Sequence, residues 1–124
     1  MSRTNALSLI PGYYGGENFY KNPLFPNFVY TEGIREIAEK SNSFWLIVDI
    51  FCFQLSTELK NQSFQVWKLE RVFQEDKPTT SFMLFCEDGN EKTLLVRKYD
   101  ISNFQFDMYH IWFVDNTLLL PVEY

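Results

Sequence analysis

The side chains of this chain that could do chemistry are few and scattered. Its single histidine, His110, lies between Tyr109 and Ile111. An imidazole can serve as a general base near neutral pH. A base needs a nucleophile or a metal beside it, and no motif supplies either, so His110 reads as a strand residue packed among aromatics. Asp49 sits inside the apolar run Phe44–Phe53. A carboxylate is costly there unless it is hydrogen-bonded. Asp49 is therefore expected to be buried, with a partner from the N-terminal residues or from a sheet. Two readings stand beside each other: a structural hydrogen bond, or a small polar pocket that takes in Asp49 and His110.

The remaining motifs are weaker. Asp88-Gly89-Asn90-Glu91 has a calcium-like composition but lacks the twelve-residue ligand pattern of an EF-hand. It reads as a hairpin turn. Gly12-Tyr13-Tyr14-Gly15-Gly16 fits neither the dinucleotide fingerprint nor the P-loop. One histidine and two distant cysteines do not form a zinc set. No catalytic residue, metal or cofactor is expected.

Composition favours partners over chemistry. Thirteen Phe, seven Tyr and three Trp make 19% of the 124 residues aromatic. Aromatic rings fill cores and also anchor interfaces, and one small core does not need so many. A protein partner is expected, a homodimer included. The net charge of −5 without any Lys/Arg run argues against direct nucleic-acid binding. The apolar run Phe44–Phe53 is too short for a bilayer, which needs about 20 residues, so no membrane association is expected. Cys52 and Cys86 lie in apolar segments behind no recognisable export signal. They are read as free thiols of a cytoplasmic protein.

The elements that must position these residues follow from local signals. Residues 1–30 hold Pro11, Gly12, Gly15, Gly16, Pro23 and Pro26 among seven aromatic rings. They read as an irregular arm packed on the rest, with little helix or strand. Thr31 can cap a helix whose apolar positions are Ile34, Ile37 and Ala38. Ser41-Asn42-Ser43 interrupts it and offers a second cap. Residues 44–57 then form a helix apolar enough to be buried on most faces. Strands are expected at Phe64–Phe73, Ser81–Glu87, Lys92–Tyr99, residues 104–113 and Thr117–Leu120, with a loop at Gln74–Pro78 and a turn at Asp115-Asn116. The implied fold is α+β: one domain of 124 residues, an antiparallel meander of about five strands with a helix pair on one face. Strand alternation puts Phe104, Phe106, Met108, His110 and Trp112 on one face, and Tyr109, Ile111 and Phe113 on the other. With Tyr13 and Tyr14, the residues Tyr109, Trp112 and Phe113 are the candidate interface.

Several segments resemble a family of small bacterial proteins classed as a domain of unknown function and often found on plasmids and phages. They are Glu17-Asn18-Phe19-Tyr20, Tyr30-Thr31-Glu32-Gly33-Ile34, Phe44-Trp45-Leu46-Ile47, Phe64-Gln65-Val66-Trp67-Lys68-Leu69, Cys86-Glu87-Asp88-Gly89-Asn90 and Leu118-Leu119-Leu120-Pro121-Val122-Glu123-Tyr124. The chain departs from that pattern in its Phe-rich second helix and at Val122, where a small polar residue is usual. The resemblance implies no activity. It implies a mobile-element setting, in which small inhibitors and adaptors of host machinery, a host defence complex included, are common. The leading expectation is a non-enzymatic protein-binding module. The alternative is a small-molecule site or enzyme with a pocket near Asp49, between arm and helices.

Overall fold

The computed structural model describes residues 18–101 and 103–124. It is an α+β fold with two helices and seven strands in one sheet. Strands β1 (Phe19–Tyr20) and β2 (Val29–Thr31) come first, followed by helices α1 (Glu32–Ser41) and α2 (Phe44–Phe53). Then come β3 (Phe64–Gln74), β4 (Lys77–Glu87), β5 (Thr93–Asp100), β6 (Met108–Val114) and β7 (Thr117–Leu119), and a short 3₁₀ helix at Pro121–Glu123. The order across the sheet is β1-β2-β7-β6-β3-β4-β5.

Two features correct the meander of about five strands. The described part of the arm is not irregular throughout: β1 and β2 form one margin of the sheet, and β2 runs parallel to β7. In addition, β6 returns to pair with β3, not with β5. The β3–β4 connection is tighter than the expected loop. Glu75 and Asp76, with φ of 52° and 63°, make a two-residue hairpin closed by the pair Gln74 and Lys77. Asp115 and Asn116 do the same between β6 and β7, with φ of 48° and 65°.

Helix α1 begins where its sequence says it should. The Thr31 hydroxyl accepts the N–H of Ile34 at 3.4 Å and donates to Glu123 at 2.6 Å. Glu123 also accepts the N–H groups of Gly33 at 3.3 Å and Leu120 at 2.7 Å. A carboxylate beside the first turn of a helix satisfies orphan donors and complements the helix dipole. Gly33 is required by this approach. A Cβ there would lie 2.7 Å from Leu120 and 2.9 Å from the Glu123 carboxyl group. The helix stops at Asn42, which takes the left-handed conformation at φ 54°. Ser43 precedes α2 but makes no side-chain cap; its hydroxyl pairs with that of Ser41 at 2.7 Å.

The core lies between the helices and one face of the sheet. Ile34, Ile37, Ala38, Leu46, Ile47, Ile50 and Phe51 come down from the helices, and Trp67, Leu69, Phe82, Leu84, Ile111 and Leu118 rise from the strands. Phe28, from the segment before β2, packs on both Phe51 and Phe113. Leu46, Ile47, Ile50 and Phe51 form the only fully buried ridge of α2. The helix is therefore buried on one side, not on most faces.

Candidate functional site

Helix α2 has an apolar outer side that the core does not use. Phe44, Val48 and Cys52 recur at spacings of four, which align on one helical face, and Leu55 follows in the turn just past the end of α2. Phe44 is 40% exposed and Leu55 79% exposed, Cys52 is exposed, and Val48 is half-buried. Asp49 flanks this stripe. Its carboxylate accepts the Tyr99 hydroxyl, from β5, at 2.9 Å. The expected partner from the sheet is thus Tyr99, although Asp49 is half-buried because it sits between the buried ridge and the outer stripe. Burial first, and then the bond to Asp49, raises the Tyr99 phenol above its ordinary range. Trp45 packs on the same ring at 5.4 Å.

The candidate interface residues are dispersed. Tyr109 and Phe113 are each 3% exposed and face the helices, so neither offers a surface. Phe104 and Phe106 join them in the core instead of extending β6. Phe104 stacks on Tyr109 at 6.3 Å and meets Phe82 edge-on at 5.5 Å. The cause is Arg71. It donates to the Phe104 and Phe106 carbonyls at 2.7 and 3.3 Å, to the Thr79 carbonyl at 2.7 Å and to Asp107 at 2.8 Å. The segment held by Arg71 lies ahead of β6, which begins at Met108. Arg71 was not singled out from the sequence; a cation between Glu70 and Val72 reads as a solvated strand residue. Trp112 does lie on the helix-free face, between Phe64 at 5.4 Å and Tyr124 at 5.3 Å. Tyr13 and Tyr14 fall outside the described residues.

Asp49 and His110 are not brought together. Tyr99 holds Asp49 on the helix side, whereas His110 projects from the other face with its Nε2 3.4 Å from Glu70. A cavity of about 380 Å³ opens elsewhere, where the chain leaves α2. Phe28, Leu59 and Phe113 form its apolar lining, and Gln54, Lys60, Gln62 and Asp115 are among its polar lining. One wall is fixed by a closed amide network. Gln54 and Gln65 exchange two hydrogen bonds of 2.8 Å, and Gln65 also donates to the Gln62 carbonyl and accepts from the Trp67 indole. Buried polar groups persist when fully partnered in this way.

Both cysteines are free. Cys86 is buried, and its thiol is pushed up to about 12 by burial and by the neighbouring Glu87; Cys52 is exposed on the stripe, against expectation. No helix among the described residues is long and apolar enough to cross a membrane. No curated protein and no solved structure matches the chain. The model of a family of unknown function (DUF6876) matches residues 4–124, and by that span the chain belongs to this family.

Proposed function

We propose that this chain is a non-enzymatic protein-binding module, an inhibitor or adaptor that docks a helix or sheet of its target on the outer stripe of α2. The observation that carries the reading is the exposure of that stripe. An apolar helix is normally buried around its circumference, yet Phe44 and Cys52 face outward, and Leu55 is exposed in the turn that follows them. Apolar helix faces left open are sites for helix-in-groove or groove-on-helix recognition. A setting on plasmids or phages and a target in a host defence complex belong to the same proposal.

The exposed thiol makes the test direct. A photo-crosslinker attached at Cys52 is activated in a lysate of the organism that encodes the protein. The expected result is one dominant adduct that Leu55→Glu suppresses without changing the circular dichroism of the chain. Adducts that are diffuse, or indifferent to Leu55→Glu, would overturn the reading.

A further inference from the structure

Strand β5 forms one margin of the sheet, and among the described residues no strand lies beyond it. It is eight residues long, whereas β1 at the opposite margin has two. A long margin presents backbone N–H and C=O groups that can pair with another extended chain. The register fixes which residues present them. Ile101 donates its N–H to the Thr80 carbonyl at 2.8 Å, and from there alternate residues of β5 turn their backbone toward β4. Arg97 and Tyr99 do so, opposite Leu84 and Phe82. Val96, Lys98 and Asp100 turn theirs outward.

Arg97 intrudes on that outward row. Its Nη1 donates to the Val96 carbonyl at 2.8 Å, and its guanidinium carbon lies 5.3 Å from the centre of the Phe53 ring on α2. We infer that Arg97 is a latch that closes the β5 margin to strand addition. An incoming strand needs the Val96 carbonyl as an acceptor, and the guanidinium already holds it. Displacing the side chain also gives up its place over the Phe53 ring, where a cation is favoured. Burying it beneath a new strand would desolvate a charge that no described carboxylate pairs. Other features protect the two ends of the same margin. Past the end of β5, β4 is itself the outer strand, and Pro78 there brings no N–H to a newcomer. At the other end the register shifts between Cys86 and Glu87, an irregularity that interrupts regular pairing. The middle of the margin is left to Arg97. This inference does not rest on the role proposed for the stripe of α2.

Arg97→Thr tests it. Threonine suits a strand and cannot reach back to the Val96 carbonyl. Lys60→Thr removes the same unit of charge outside β5 and serves as the control. Both variants are more negative than the −5 of the unaltered chain, which by itself opposes association. Sedimentation at micromolar concentration should show Arg97→Thr associating at least tenfold more tightly than the unaltered chain, and Lys60→Thr no more tightly, with the same circular dichroism throughout. Hydrogen exchange supplies a readout without substitutions. The outward amides of Val96 and Lys98 should exchange rapidly in the dilute unaltered chain and become protected in the Arg97→Thr assembly. An Arg97→Thr chain that associates no more than the unaltered one overturns the proposal, as does equal association of Lys60→Thr. Val96 and Lys98 amides already protected in the unaltered chain overturn it too.

Discussion

Arg71 has all three of its guanidinium nitrogens engaged, and its plane lies 4.5 Å from the Phe82 ring. It therefore ties the segment before β6 to the β3–β4 hairpin and offers little to a ligand. Its pair with Asp107 is well shielded, with 12% and 15% side-chain exposure. Breaking a shielded pair from one side costs about 3–5 kcal/mol. Arg71→Ala should lower the urea midpoint accordingly, and Arg71→Lys should recover only part of the loss, because an ammonium cannot reach the same fan of acceptors. A Lys variant as stable as the parent would show that the fan is incidental. Gln65 makes the same argument in neutral form. Gln65→Ala leaves Gln54 and the Trp67 indole without their partner and should cost about 1–3 kcal/mol, read by the same titration.

At the scale of elements, the join between α1 and the final 3₁₀ helix is the most constrained contact. Gly33→Ala would ordinarily favour a helix by about 1 kcal/mol. Here the added methyl meets Leu120 and Glu123, and overpacking of this kind costs about 1–3 kcal/mol. The expected outcome is a lower melting temperature. Thr31→Ala and Glu123→Gln should each destabilise, and together by less than their sum, since they remove one shared bond. The presence of two helices, the Asp88–Asn90 turn and the strands β3 to β5 were legible because each rests on a repeated local signal, apolar spacing, a cap or a glycine turn, although α2 stops at Phe53 and not at residue 57. What was not legible depends on distant partners. β1 and β2 are two and three residues long and exist only because β7 lies beside β2. Glu75-Asp76 lacks a glycine, and Pro78 suggested a loop. Yet Pro78 lies beyond the last β4–β5 pair, Ser81 and Asp100, so its missing N–H interrupts no ladder there. The alternation through Phe104 and Phe106 was real in the sequence and misleading in space, because both rings pack into the core ahead of β6, where Arg71 from β3 holds their backbone. In the same way, the apolarity of α2 was plain, but which half of it faces outward depends on packing that no local window contains.

At the scale of the molecule, three buried groups set a common response to alkali. The Cys86 thiol is raised to about 12, and the Tyr99 and Tyr109 phenols are raised as well, each chiefly by burial. In the unfolded chain these groups ionise at their ordinary values, about 8.5 for a thiol and about 10 for a phenol. A folded value above the unfolded one gives stability that is complete below the unfolded value and is lost as pH rises toward the folded one. The unfolding midpoint should therefore hold to about pH 8 and fall steadily above about pH 9. Tyr99→Phe should make that fall shallower. A midpoint unchanged at high pH would contradict the burial assigned to these groups. The β2–β7 pairing and the reach of Glu123 to Thr31, 92 positions away, bear on how the chain is made as well as on how it stands. During vectorial synthesis β2 and α1 leave the ribosome with no inner neighbour, and they wait for strand β7 before the sheet can close. Loop closure over that distance is entropically costly and slows folding. A nascent chain halted after Val114 would expose the margins of both β2 and β6, a template for pairing between chains. A version ending at residue 114 should consequently collect in the insoluble fraction, whereas the full sequence stays in the supernatant.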